Sequence, residues 1–485
     1  MEWIGDQWVL DGEEFADGPL VDGTFVTPQD PILTTATPAA AATLSAASPA
    51  RNPSSRPLRA AVNISGASAD IQGIRWAGMP ISRDRFHELR RSNYFRCRLR
   101  DDTPWTRQAK TKGGVVLCLQ FPMRDDGRLY DWYRTSLANK CTVEHMQLRN
   151  LVWATSKNDV YYTDRSGVMH WCAIAGRTTP ALSLARQDVG GMLISCIAAR
   201  HGVLLAGGFC GEFLMRRIGH GEDGIVTKGI ITHDPNGSIN HIDIVYGRTA
   251  AGPQAIFSTN DQHVRIMDIA TRTATSTIPF EAAINCSTLS PDKRLLCAVG
   301  DMQNGYIVDS QEGKHLATLT GHTDWSFACA WSPNGTLLAT GNQDRTTRIY
   351  DTRNMKRTLA TLPSTMGAVR SLRFSEDARV LAIAESVDYV RLVDTEGLTS
   401  VAATLSDGGA APRGSGGSVR ASSAAAGHRT QLVDFFGEVA GLTFAPGTSG
   451  DDVLFIGISD PRYGGLIELH RRGAGGQLST RNLEL

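Results

Sequence analysis

Several residues have types and spacings that could do chemistry. His322, Thr340 and Asp344 form a His/Thr/Asp set of the kind a hydroxyl nucleophile would need. Catalysis also requires an open cleft around such a set, and the apolar runs that flank it read as packed strands, so the set reads as structural. Cys210 sits among glycines in GGFCGE, as a nucleophile or phosphate loop might, but the Lys and following helix of a phosphate-binding loop are missing. GDMQNG reads as a turn of the same kind, with Asp301 aligned to the loop position of Gln343. His170, His233 and His241 are not spaced as ligands on one element, and no metal or cofactor is expected. The run SRDRFHELRRSNYFRCRLR holds Arg83, Arg85, Arg90, Arg91, Arg96, Arg98 and Arg100, interleaved with Phe86, Tyr94 and Phe95. Basic and aromatic side chains together can neutralise phosphates and stack on bases. On a helix, Phe86, Leu89 and Arg90 would instead share one side that packs on a neighbouring surface while the arginines snorkel.

The elements that must hold these residues are short strands. In GHTDWSFACAWSPNGTLLATGNQDRTTRIYD, the runs FACAW, TLLATG and RTTRIY are separated by SPNG and NQDR. This is a three-stranded meander in which Asn334-Gly335 supplies the positive backbone angles of a tight reversal. One meander cannot bury its own faces and needs neighbours. They appear as a repeat: RIMD, YIVD, RIYD and RLVD end at Asp268, Asp309, Asp351 and Asp394, spaced 41, 42 and 43 residues apart. Such a period, with four strands per unit and a Gly-His signature, fits propeller blades.

With those residues in view, the chain resembles the WD40-repeat family, best over 321–351. The resemblance implies a buried hydrogen-bond chain through His322, Thr340 and Asp344, with Tyr350 where Trp is usual. Taken together, QLRNLVWATSKNDVYYT, VDSQEGK, GAVRSLRFSEDARVLAIAE, FFGEVAGLTFAP, LFIGISDPRYGGLIEL and the earlier IQGIRWAGMPISRDRFHELRRSNY resemble a plant and fungal group of largely uncharacterised, transducin-like WD-repeat proteins. The expected fold is all-β, a WD40 β-propeller of seven four-stranded blades, with six or eight as alternatives. A segment before Leu148, such as TVEHMQL, is expected to supply the last blade's fourth strand and so remove a sheet edge.

The expected domains are a mostly disordered N-terminus at 1–70, acidic and then Ala/Ser/Pro-rich; an Arg-rich arm at 71–140; the propeller at 141–473; and a tail at 474–485. A flexible Gly/Ser/Ala insertion at 406–429 is expected between the sixth and seventh blades. Forty-nine Lys and Arg balance forty-nine Asp and Glu, so no global charge steers the chain to nucleic acid or acidic lipid. The acidic start does not read as a signal peptide, and no stretch is apolar enough to span a membrane. Nine scattered cysteines without a C-x-x-C pair suit reduced thiols in cytoplasm or nucleus.

The expected function is a non-enzymatic scaffold that binds other proteins or peptide segments and assembles a complex. The alternatives are an RNA- or DNA-associated factor using 82–100 and, more remotely, an enzyme with a Cys/His site; membrane association is not expected. By register with 321–351, one face should display Asp324, Trp325, Gln343, Asn260, Asp301, Ser386 and Glu438.

Overall fold

The computed structural model describes residues 70–96 and 127–472, apart from 186–190, 220–224, 249–251, 397, 399–427 and 448–450, together with the backbone of 2–4, 7–9 and 123–124. The chain divides into two compact units, 1–58 and 59–485. In the first, Glu2–Ile4 and Gln7–Val9 pair as an antiparallel hairpin, so the acidic start is not wholly without structure. The rest of the expected disordered stretch, 10–69, lies outside the described residues.

The second unit carries seven four-stranded antiparallel blades. Their innermost strands are Val152–Ala154, Cys196–Arg200, Ile239–Tyr246, Ile284–Leu289, Ser326–Trp331, Val369–Phe374 and the second half of His428–Ala445. Each touches the next around a closed ring, the seventh meeting the first. Apolar clusters fill the seams. Phe213 and Phe257 meet between blades 2 and 3, Cys297 and Leu338 between 4 and 5, and Leu337 and Leu381 between 5 and 6.

The hairpin joining the first two strands is built alike in three blades. Ser290, Ser332 and Ser375 donate to Asp292, Asn334 and Asp377 at 2.6, 2.7 and 2.7 Å. The same hydroxyls accept the amides of Leu295, Leu337 and Val380. Only the residue after each Asp or Asn takes a positive φ: Lys293 at 64°, Gly335 at 73° and Ala378 at 58°. The expectation of two positive angles at Asn334-Gly335 is corrected, because the reversal spans four residues and needs a single left-handed position. The Asp that ends each third strand has a local purpose. Asp268, Asp309, Asp351 and Asp394 accept the amides of Thr271, Gln311, Arg353 and Glu396, turning the chain toward the outer strand.

A segment before Leu148 does supply the fourth strand of blade 7, but it is Tyr130–Ser136, paired with Gly465–Arg471, and not 142–148, which forms no strand. The ring therefore starts before residue 141, inside the segment expected to be an arm. The insertion falls within blade 6, not between blades: the single strand His428–Ala445 serves blade 6 with its first half and blade 7 with its second. Most of 406–429 lies outside the described residues, and its last two residues already begin that strand. The tail 474–485 also lies outside them.

Candidate interaction surface

The upper face carries the loops before each first strand and after each second strand. In blade 5, His322 Nδ1 stands 2.8 Å from Asp344 Oδ2 and Nε2 stands 2.8 Å from Thr340 Oγ1. With Nδ1–H donating to the carboxylate, Nε2 accepts the Thr340 hydroxyl. Burial raises the Asp344 pKa, but the His322 contact and the Thr346 hydroxyl outweigh it and leave a net lowering. The Tyr350 hydroxyl, beside the Thr340 hydroxyl, donates to the Thr320 carbonyl at 3.2 Å. His322 and Thr340 are both buried.

Other blades fasten the same loops differently. In blade 3, Asp261 accepts from Arg265, Thr259 and Thr232, and these bonds override burial to hold its pKa at about 2. In blade 6, the buried carboxylate of Glu385 accepts the amides of Thr365, Met366 and Gly367 at 2.6, 2.7 and 2.6 Å. Sequence reasoning missed both sets. The only available signal was that Glu385 occupies the strand-closing register of Asn342.

The Arg-rich segment forms helix α1, Arg83–Arg96, which packs on blade 6 and on the strand that blade shares with blade 7. Arg90 grips the fully buried Asp388 carboxylate in bidentate fashion at 2.6 and 2.8 Å. Arg83 pairs with Asp434 and Asp70, and Arg91 donates to the Tyr389 hydroxyl. Phe86 and His87 pack on Phe436 with centroids 5.0 and 4.3 Å away, and Tyr94 meets Ser386 at 3.0 Å. The docked side is therefore Arg83, Phe86/His87, Arg90 and Tyr94. Leu89, expected on that side, is exposed instead, because the helical turn carries it away from Phe436. Arg85 is exposed beside Glu88; Arg98 and Arg100, and the side chain of Arg96, lie outside the described residues. Just before α1, Gln72 is buried, with its amide bridging the Phe436 backbone and the Tyr463 carbonyl.

The seven face residues are not brought together as one open site. Ser386 is buried under Tyr94, and Glu438 is paired with Arg149 at 2.9 Å. Asn260, Asp301, Asp324, Trp325 and Gln343 lie on blades 3 to 5, away from the contacts of α1. Asp301 accepts from Asn285 at 2.8 Å, and Gln343 accepts from Arg370 at 3.0 Å. Burial raises the pKa of both Asp301 and Asp324, with their mutual repulsion adding to it for Asp301. Arg370, also missed from sequence, is buried against the Phe327 ring at 3.9 Å; burial and the nearby Arg149 push its pKa down.

Cys210 is exposed in a turn of blade 2, where its amide donates to the Glu212 carboxylate at 2.7 Å. His170 pairs with Asp159, His233 is exposed and His241 is buried. Among the described residues, no group of three His, Cys, Asp or Glu side chains is placed to hold a metal ion, and no helix is long and apolar enough to cross a membrane.

Seven four-stranded blades define the class, a β-propeller, and blade 5 with its Gly-His/Asp lock is a WD repeat. The WD domain, G-beta repeat family matches residues 313–351. An uncharacterised protein of Schizosaccharomyces pombe is 25% identical over 272 residues, 52% of this chain and 73% of that one. The periodic tryptophan protein 2 homolog of the same yeast is 30% identical over 111 residues, covering 23% of this chain and 13% of its own length. The human serine-threonine kinase receptor-associated protein is 35% identical over 71 residues, 15% of this chain and 20% of that one. A chain in a crystal structure of the mitotic checkpoint complex superposes with a TM-score of 0.51 at 13% identity, over 75% of this chain and 96% of that chain. At that identity the likeness bears on the fold alone.

Proposed function

We propose that the protein is a non-enzymatic scaffold that binds protein partners through the sector of the upper face that α1 leaves open and so assembles a complex. The observation that carries this reading is Trp325, a large aromatic left 36% exposed beside Asp324 on a sector that α1 does not cover. Aromatic side chains on rigid supports are the common anchors of protein interfaces. Burial raises the pKa values of Asp301 and Asp324, and a Lys or Arg side chain would be the complementary group for these two carboxylates. The free thiols of the described cysteines fit work in the reducing cytoplasm or nucleus.

The test is a crosslinked pull-down with the intact chain beside a Trp325→Ala/Asp324→Lys variant, with partners identified by mass spectrometry and RNA quantified in parallel. Partner recovery should fall several-fold with the variant; equal recovery would refute the assignment of the sector. The pairing of Arg83 and Arg90 with ring carboxylates weighs against a nucleic-acid role for α1. RNA that co-purifies and is lost in an Arg85→Glu/Arg91→Glu variant would reverse that ranking.

A further inference from the structure

The seven upper-face candidates do not line the large cavity of the ring. That cavity, about 1350 Å³, opens at the opposite end, among the hairpins that join each first and second strand. Its wall carries Arg177, Arg200, Arg216, Arg217, Lys293 and Arg373 against Asp159, Asp243 and Glu376. Of the acids, Asp159 is already bonded to His170 at 2.8 Å. Among the described residues, Arg177, Arg200, Arg217 and Lys293 make no ion pair. A chain of zero formal net charge has gathered cations at one end of its channel.

Burial lowers the Lys293 pKa, with Asp243 opposing and Arg200 adding to the lowering; burial and Arg200 lower that of His201, again with Asp243 opposing. The same wall carries aromatic surface: Trp153 lies under the Arg373 guanidinium at 5.0 Å, and Trp331 and Phe374 line it beside the hairpins. His241 also lines the cavity, 2% exposed, with the Cys286 thiol as its neighbour. Cations and aromatic surface on one concave wall together describe a site for an elongated anionic ligand with an apolar anchor. The volume exceeds the roughly 300–1,000 Å³ typical of small-molecule sites and suits a peptide.

We propose that the lower mouth of the channel binds an acidic, Asp/Glu-rich peptide segment of a partner protein, its carboxylates on Arg177, Arg200, Arg217 and Lys293 and one aromatic side chain beside Trp153 and Trp331. The site lies at the opposite end from Trp325 and stands independently of the upper-face reading. Clustered like charges around a concave, low-dielectric wall raise the local concentration of an oppositely charged ligand, and this steering weakens with salt.

The experiment is fluorescence anisotropy of a labelled Glu-rich peptide with one central Trp, titrated with the full chain over a salt series. A copy with Gln for Glu, a single-stranded RNA and inositol hexakisphosphate are run alongside. The Glu peptide should bind saturably, weaken as salt rises, and lose about tenfold or more in affinity with Arg200→Glu/Arg217→Glu. Arg177→Glu should weaken it in the same direction, and Trp325→Ala/Asp324→Lys should bind the peptide as the unmodified chain does. Thermal melting of each variant reports its folding. No saturable binding, equal binding of the Gln copy, unchanged affinity in both folded lower-mouth variants, or tighter binding of the RNA or inositol phosphate would each overturn the proposal.

Discussion

At the scale of single residues, stability rests on polar groups that are buried and partnered. His322 carries the blade 5 lock, so His322→Ala leaves Thr340 and Asp344 without that partner and should cost about 1–3 kcal/mol in denaturant unfolding. The same lock sets a pH dependence. The folded pKa of Asp344 is lower than its unfolded value of about 3.9, so its contribution is present above that value and is lost as pH falls through the folded pKa. Acid titration of unfolding free energy should therefore show a shallower decline in Asp344→Asn than in the unmodified chain. Arg90 gives a sharper contrast with its neighbours. Its removal would strand the Asp388 carboxylate, which is fully buried, at a cost of about 3 kcal/mol, whereas Arg85→Ala, at an exposed pair, should leave the denaturation midpoint unchanged. The His322 set was legible because its members lie within one repeat and its pattern is shared. Glu385, Asp388 and Arg370 were not, since each derives its meaning from a fold contact that no local spacing encodes: a turn of backbone amides, a helix about 300 residues earlier in the chain, or an aromatic ring on the next blade.

At the scale of elements, most strands were readable because apolar runs alternate with Asn, Asp, Gly and Ser turns, and the repeated Asp fixed their period. The helix was readable as a segment with one side to pack, but not all of the residues that dock were. Its sequence is strongly polar and lacks an apolar stripe, so its attachment depends on paired charge and on the few rings around Phe436. That mode of attachment has an electrostatic signature. Asp434 is held at about 2 by His87 and Arg83 despite its burial, so α1 is fastened above the ordinary carboxylate range and released as pH falls towards 2. Hydrogen exchange of 83–96 should accelerate in Asp434→Asn at neutral pH, while the inner strands keep their protection. Equal protection of α1 in the two proteins would show that the aromatic contacts suffice to hold it.

For the whole propeller unit, the decisive feature is how the ring closes. A strand 330 residues earlier in the chain, Tyr130–Ser136, completes blade 7, and Tyr130 is buried with its hydroxyl on Asp452. The sequence YDWYRTS mixes charged and aromatic residues and carries no repeat signature, so nothing local marks it as part of a blade. Its removal would expose the long edge of Gly465–Arg471, a row of unpaired amides and carbonyls ready to recruit another chain. A chain starting at residue 141, where the repeat becomes visible, should therefore self-associate and lose cooperative unfolding. One starting at residue 70, which keeps both the closing strand and the docked helix, should elute as a single species by size exclusion with light scattering. If the shorter chain is also monodisperse and melts in one transition at the same temperature, then the seams between blades hold the ring without its closing strand. If it associates as expected, the propeller is a unit whose first and last strands must both be present before any face can bind a partner.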